Sequence, residues 1–153
     1  MGIFSVEQVD WQEAKARLKK LRNRVFVCEW RIPRQAEFDE QDSQSKHVLV
    51  SNEQGEAIAT GRITPDGEIG RIAVVSSYRS EEIYDTLYAA LLEIAKNESL
   101  DDVFVQCNLD GVDHFADNGF ETVGNVYMDS GIPRQRMRCS TEAFSLSKVE
   151  LIH

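Results

Sequence analysis

Three strand-length apolar segments follow one another in the middle of the chain, separated only by short turns. They run from His47 to Ser51, Ala57 to Thr64 and Glu68 to Val75, and a long amphipathic segment from about Ser80 to Asn97 comes next. Because each turn is only a few residues long, neighbouring strands must run antiparallel. This order restricts the chain to mixed α/β folds in which an antiparallel meander is followed by a helix.

The flanking segments extend this pattern. Between Trp11 and Cys28 apolar residues recur every three or four positions, which predicts a helix, and Asp10 with Glu13 is typical of a capping box at its start. The other predicted elements are a strand from Ile3 to Val9, a short buried strand from Val103 to Val105, a helix from Val112 to Asn118, and strands from Phe120 to Met128 and from Arg136 to Cys139. We expect one domain over residues 1–139. The apolar tail 140–153 is expected to pack on this domain or on a neighbouring subunit, which leaves a homodimer open.

Composition excludes several classes of protein. The chain has 153 residues and a formal net charge of −9, so a nucleic acid would be repelled over most of the surface. The cysteines and histidines lack the spacing of metal ligands, and we expect reduced cysteines and no metal. The sequence shows neither the pattern of a signal peptide nor a long apolar run. We therefore expect a cytoplasmic location and no membrane partner.

Several fragments in a fixed order resemble the GNAT superfamily of acetyl-CoA-dependent N-acetyltransferases, and within it the small bacterial ElaA-like branch. They are Arg24-Val25-Phe26-Val27-Cys28-Glu29 followed by Glu37, Asp39, Asp42 and His47; Gly70-Arg71-Ile72-Ala73-Val74; Asn118-Gly119-Phe120; and Gly131-Ile132-Pro133 followed by Met137. The resemblance implies a mostly antiparallel, twisted sheet of six to seven strands flanked by about four helices. It also implies that the sheet splays between strands four and five.

The resemblance assigns acetyl-CoA to this splay. Its pantetheine arm would pair with the backbone of Ile72, Ala73 and Val74, and its pyrophosphate would lie at the N-terminus of the next helix. The residues assigned to the pyrophosphate turn are Arg79, Ser80, Glu82, Ile83 and Tyr84. In the family three of these positions are small, usually glycine, but this chain has Ser80, Glu82 and Tyr84. Acidic residues disfavour a phosphate and Tyr84 adds bulk, although Ser80 and the glutamates equally suit an ordinary helix start.

The catalytic positions of the family are also altered. The resemblance places Asn108 at the cofactor, and a proton-donating tyrosine seven residues later, where this chain has Phe115. The neighbouring His114 is a candidate substitute, and Glu68 is a candidate base acting through water. The branch often carries a histidine after Gly-Ile-Pro, where this chain has Arg134, which cannot act as a base.

An acidic stretch after the first helix is the candidate acceptor site. In the family fold Glu29, Glu37, Asp39 and Asp42 would surround the acceptor, and carboxylates attract a cationic amine. Two arginines, Arg62 and Arg71, are assigned to the same region. They could instead neutralise these carboxylates in a structural salt network, and both interpretations stay open.

Three functions are compatible with these features. The first is transfer of an acetyl group from acetyl-CoA to a primary amine of a small molecule or peptide, with impaired cofactor recognition. The second is an acyltransferase similar to acyl-homoserine-lactone synthases, indicated by the acidic stretch after Phe26 and Trp30. The third is a degenerate GNAT fold that has lost catalysis and serves as a binding module.

Overall fold

The strands and helices follow one another along the chain in the order predicted from the sequence. The structure, a computed structural model, describes residues 4–25, 40–117, 119–129 and 131–142. The strands are β1 (Ser5–Asp10), β2 (Lys46–Ser51), β3 (Ala57–Ile63), β4 (Ile69–Val74), β5 (Asp102–Asn108), β6 (Glu121–Asp129) and β7 (Ile132–Ser140), and the α-helices are α1 (Trp11–Arg22), α2 (Glu81–Asn97) and α3 (Val112–Asp117). Within the described residues there are therefore seven strands and three α-helices, where about four helices were predicted.

The strands form two antiparallel sheets. The first has the order β1-β2-β3-β4 and contains the predicted meander, and the second has the order β5-β7-β6. In the second sheet β7 begins at Ile132, earlier than the predicted start at Arg136, because the β6–β7 pairing extends to the Asp129–Ile132 pair. Pro133 is tolerated near the beginning of this strand, where proline is known to be accepted.

The two sheets separate between β4 and β5, as the resemblance predicted. These strands run in the same direction and share a single parallel bridge, between Glu68 and Phe104. At that point the Phe104 N–H donates to the Gly67 carbonyl over 2.9 Å. Gly67 has a φ of +90°, and a Cβ there would lie 2.6 Å from the Asp102 carbonyl oxygen, so only glycine permits this approach. Beyond the bridge the two strands belong to separate sheets, and we name the gap between them the β4–β5 cleft.

Among the described residues, helices cover both faces of the first sheet and one face of the second. α1 packs Leu18 and Leu21 against Leu49 and Ala73 on one face. α2 packs on the opposite face in the main core cluster, which also takes Val103, Val105 and Cys107 from β5 and Met137 and Cys139 from β7. Alternate residues of β5 and β7 point away from this core. Their surface, on the side of α1, is named the open face.

The start of α1 departs from the prediction in one detail. Asp10 is the N-cap residue, as expected, but its side chain makes no capping hydrogen bond. The capping-box prediction for Asp10 and Glu13 is therefore wrong. Asp10 is also the last residue of β1 and pairs with Lys46, so its backbone conformation is set by the sheet. Residues 143–153 lie outside the described residues, and the packing of the tail stays a prediction.

Candidate active site

The β4–β5 cleft opens toward the carboxyl ends of both strands. β4 is an edge strand of its sheet, paired with β3 on one side and bridged to β5 only at its start. The backbone of Ile72, Ala73 and Val74 lies in the diverging part of this edge. An edge strand presents unpaired N–H and C=O groups that can bond to an extended ligand. The arrangement is therefore compatible with the expected pairing of a pantetheine arm.

A β-bulge distorts β4 inside the cleft. The register shifts so that Arg71 and Ile72 together face Gly61 of β3. Arg71 has a φ of +53°, which is unusual for a residue with a side chain. Gly61 lets Ile72 pack closely on β3, since a Cβ at Gly61 would lie 2.7 Å from Ile72 Cδ1 and would displace that side chain. Bulges re-aim backbone groups and are frequent beside active sites.

Helix α2 begins at the open end of the cleft. Ser80 is the N-cap, and its Oγ accepts from the Ile83 N–H over 3.4 Å. A hydrogen bond of this length is weak, so the first turn keeps much of its capacity to bind an anion. Arg79 is exposed, and its Nε donates to the Val74 carbonyl over 3.1 Å. This bond ties the turn to the end of β4.

The three residues that replace the small positions differ in placement. Ser80 and Glu82 are exposed, whereas Tyr84 is 8% exposed and belongs to the main core cluster. Burial raises the pKa of the Tyr84 phenol, and the nearby Arg79 lowers it. Since the Tyr84 ring is in the core, the obstruction expected from its bulk is not seen at the helix start. The carboxylate of Glu82 remains as the unfavourable group.

Glu68 lies just before β4 at the closed end of the cleft, and Asn108 lies at the end of β5. Glu68 marks the closed end, where Nε and Nη2 of Arg136 both approach its Oε1 to 2.5 Å. The Arg136 guanidinium also stacks over the Phe104 ring, 4.0 Å from its centroid. Asn108 ends β5 and is exposed. The candidate base is thus held in an ion pair, and its carboxylate is fixed beside the start of the cleft.

The residues of the short helix α3 have a packing role. Phe115 packs edge-on against Phe120, with centroids 5.1 Å apart, and lies against the main core. His114 contacts Phe115 edge-on and is partly buried. Phe115 therefore fills the space that a tyrosine ring would fill, without its hydroxyl group.

A tyrosine that the sequence interpretation missed lies on the open face. Tyr127 of β6 pairs in register with Arg134 of β7, and its hydroxyl reaches across β7 to donate to Gln106 Oε1 of β5. Burial raises the pKa of the Tyr127 phenol, Arg134 lowers it, and Asp129 and Glu68 raise it further. The phenol thus stays protonated near neutral pH. The arginines at every second position of β7, Arg134, Arg136 and Arg138, were the available signal, but they did not indicate which β6 residue joins them.

Asp42 lies in a buried ionic network. It is 1% exposed, and its Oδ1 accepts from Nη1 of Arg22 over 2.7 Å and from Nη1 of Arg62 over 2.8 Å. Arg22 is also 1% exposed. Of the two interpretations left open, this geometry favours the structural one for Asp42 and Arg62, because a carboxylate so enclosed is not presented to a substrate. Glu29, Glu37 and Asp39 lie outside the described residues. Arg71 lies in the β4 bulge.

His47 adds a titratable group to this network. Its Nε2–H donates to the Asp42 carbonyl over 2.9 Å, and its ring packs on Trp11 with centroids 5.4 Å apart. Burial lowers the pKa of His47 below its ordinary value of 6.5, an effect only partly opposed by Asp42. The folded protein therefore holds His47 in the neutral form.

This pKa shift predicts acid sensitivity. As pH falls below 6.5, the unfolded chain binds a proton at His47 more readily than the folded chain, so the free energy of unfolding decreases. We expect His47→Gln to flatten this decrease between about pH 6.5 and pH 5. Urea denaturation of both proteins at several pH values measures the two slopes. Equal slopes would show that His47 does not contribute.

A separate cavity lies at the far end of α2. Its volume is about 350 Å³, and its walls are Gln44, Lys46, Ile63, Thr64, Pro65, Ile94, Glu98 and Leu100. Because the C-terminus of a helix carries the negative end of its dipole, this end repels phosphate groups. The cavity does not match a site for the cofactor pyrophosphate.

Two further classes of site have no counterpart in the described part of the chain. Among those residues, no group of three or more His, Cys, Asp and Glu side chains is arranged to hold a metal ion. No helix there combines the length and the apolar character needed to cross a membrane. The two described cysteines, Cys107 and Cys139, are buried and form no disulfide.

Comparison with known proteins identifies the family. Residues 4–141 match the family model described as the acetyltransferase (GNAT) domain. The uncharacterized N-acetyltransferase YjcF of Bacillus subtilis is 26% identical over 121 residues, which cover 76% of this chain and 86% of the relative. The chain therefore belongs to the GNAT family, and by class it is an acyl-CoA N-acyltransferase.

Solved structures show the same fold. An acyl-CoA N-acyltransferase from Pseudomonas aeruginosa is 26% identical with a TM-score of 0.75, covering 91% of this chain and 99% of the other. ElaA from Escherichia coli is 24% identical with a TM-score of 0.75, covering 90% and 99%. The acyl-homoserine-lactone synthases LasI and MesI share the fold at 13% and 16% identity. The predicted superfamily and fold are thus confirmed.

Proposed function

We propose that this protein transfers an acetyl group from acetyl-CoA to a primary amine of a small molecule or peptide. The observation that carries the proposal is the β4–β5 cleft with the N-terminus of α2 at its open end. An edge strand that can pair with an extended arm leads directly to a helix start that can hold phosphate groups. Few other ligands combine a long peptide-like arm with a diphosphate.

The reaction requires groups that the cleft supplies. The amine nitrogen attacks the thioester carbonyl, a C–N bond forms, the C–S bond breaks, and one proton moves from nitrogen to the departing sulfur. Backbone N–H groups of the bulge at Arg71 and Ile72 are suited to stabilise the negative charge on the carbonyl oxygen. Glu68, at the closed end, is the candidate acceptor of the amine proton through water.

The donor of the final proton must differ from the usual family tyrosine, because Phe115 has no hydroxyl. Tyr127 and His114 are the candidates, and Tyr127 has the better support. Burial raises the pKa of its hydroxyl, which is therefore protonated near neutral pH, and the hydroxyl lies on the open face, where Arg136 holds Glu68. Asn108 ends the β5 side of the cleft, where it can orient the cofactor arm.

Cofactor binding is expected to be weak but retained. Ser80 caps the helix through one long bond, and Tyr84 is turned into the core, so the main obstacle is the charge of Glu82. Arg79 offers an exposed guanidinium beside the same turn. These features favour an enzyme with a high cofactor dissociation constant over a protein that has lost the site.

Calorimetry or thermal unfolding with acetyl-CoA tests the proposal. Cofactor at 100 times its dissociation constant is expected to stabilise the fold by about 2.7 kcal/mol. Release of the CoA thiol in the presence of a panel of primary amines then reports transfer. If millimolar acetyl-CoA gives no stabilisation, the proposed acetyl transfer is excluded. The alternative, a catalytically degenerate GNAT-fold binding module, is then favoured.

Two finer points belong to the same proposal. An acyl-homoserine-lactone-synthase-like acyltransferase remains an alternative, supported by the shared fold and the acidic stretch after α1, and a longer acyl-CoA in the same assays distinguishes it. We also propose a cytoplasmic enzyme, for which the support is that the two described cysteines, Cys107 and Cys139, form no disulfide. The homodimer stays a proposal that sedimentation can measure.

A further inference from the structure

The open face of the second sheet carries a row of three arginines. They occupy alternate positions of β7, at Arg134, Arg136 and Arg138, opposite Asn108, Gln106 and Phe104 of β5. Two of the three are firmly paired. Arg136 is bound to Glu68 at the closed end of the cleft, and Arg138 is bound to Glu121 and Asp102 at the far end of the sheet.

Arg134 has weaker contacts and a different position. Among the described residues, its Nη1 lies 3.4 Å from the Gln106 carbonyl, and its Nε lies 3.4 Å from Oδ2 of Asp129. Nε is buried and makes no hydrogen bond. The side chain is 29% exposed, and that of Asp129 is 54% exposed. Arg134 thus keeps hydrogen-bonding capacity for a ligand at the open side of the cleft.

We propose that Arg134 binds a carboxylate of the acceptor, so that the acceptor is an amine that also carries a carboxylate, such as an amino acid. This inference rests on the proposed function and specifies its substrate class. A guanidinium binds a carboxylate through two parallel N–H bonds, and such a ligand would replace the exposed Asp129 at Nε. Tyr127, in register with Arg134, would place its hydroxyl against the same ligand.

The charge of the whole protein is consistent with this class. With a net charge of −9 the chain repels a free anion at long range. An amino acid is a zwitterion without net charge, so only the local arrangement decides its binding. Arg134 at the open end of the cleft then offers the positive group for its carboxylate.

The test compares acids with their amides. CoA-thiol release is measured with the amino acids and with the corresponding amino acid amides, for the wild type, Arg134→Gln and the control Arg138→Gln. We expect Arg134→Gln to raise KM for the acids by about ten- to hundredfold with little change for the amides. Arg138→Gln, which removes the same charge from the same strand, should leave both unchanged. Equal use of acids and amides by the wild type would overturn the inference while the acetyltransferase proposal stands.

A binding measurement separates the two proposals if no transfer occurs. Ligand-observed NMR with N-acetyl amino acids and their amides requires neither the cofactor nor turnover. Binding of the acids that is lost in Arg134→Gln and kept in Arg138→Gln supports the carboxylate site even when the protein transfers nothing. If acids and amides bind alike, or neither binds, the carboxylate site is wrong. Thermal unfolding confirms that both variants are folded.

Discussion

Replacing Asp42 by alanine is expected to lower the free energy of unfolding by about 3–5 kcal/mol, the usual cost of removing one partner of a buried ion pair. The reason is the environment of the two arginines. Arg22 and Arg62 both donate to Asp42 Oδ1, and the side chains of Arg22 and Asp42 are almost fully buried. Without the carboxylate, two adjacent like charges lose their shared counter-ion. Urea denaturation, with a two-state fit, measures the change.

The chain offers a matched control for this prediction. Glu7 pairs with Arg17 over 3.2 Å, but both side chains are 48% exposed. Solvent screens such a pair, so Glu7→Ala should change the free energy of unfolding by less than about 1 kcal/mol. If the two substitutions cost the same, the Asp42 network does not stabilise the fold as its burial indicates. Asp42→Asn, which keeps the shape and removes the charge, reports the electrostatic share.

The second large effect concerns the start of α2. Glu82→Gln is expected to tighten acetyl-CoA binding by about five- to hundredfold. A carboxylate about 6 Å from a phosphate charge costs about 1–3 kcal/mol at effective dielectric constants between bulk water and about 20. Glu82 is exposed, so the change should not disturb the core. Isothermal titration calorimetry of acetyl-CoA on both proteins measures the ratio of dissociation constants.

Glu93 supplies the control for this prediction. It is exposed on the same helix and about 16 Å further along its axis, well beyond the Debye length of about 8 Å at physiological salt. Glu93→Gln makes the same chemical change and should leave the affinity unaltered. Similar gains in both variants would show a general charge effect, and no gain in Glu82→Gln would mean that the pyrophosphate lies elsewhere. Tyr84 is unsuitable for this purpose, because its ring is part of the core.

The elements with local signals were predictable from the sequence. The meander, α1 and α2 follow from apolar periodicity and short turns, and the order of fragments was enough to indicate the family and the splayed strands. The start of β7 was predicted too late because a proline such as Pro133 usually lies outside a strand. In the structure, pairing with β6 extends the strand past Pro133 to Ile132. The absent side-chain bond of Asp10 was missed because its backbone is fixed by pairing to β2, a contact distant in sequence.

The site was harder to predict than the fold. The pairing of Asp42 with Arg22 and Arg62 joins residues 20 positions apart on either side, and no local pattern specifies it. Tyr127 was missed for a different reason. A register shift between Val123 and Tyr127 changes the alternation along β6, so that the residue facing Arg134 cannot be found by counting from the start of the strand. Bulges of this kind arise from tertiary pairing and leave little trace in composition.

The single bridge between Glu68 and Phe104 leaves the spacing of the two sheets to another element. Helix α2 lies in one apolar cluster with residues of both sheets, including Leu87 and Leu91 at its centre. The volume of these side chains therefore acts as the spacer that sets how far β4 and β5 stand apart. A change in the packing of this one helix would widen or narrow the gap without altering the strands themselves.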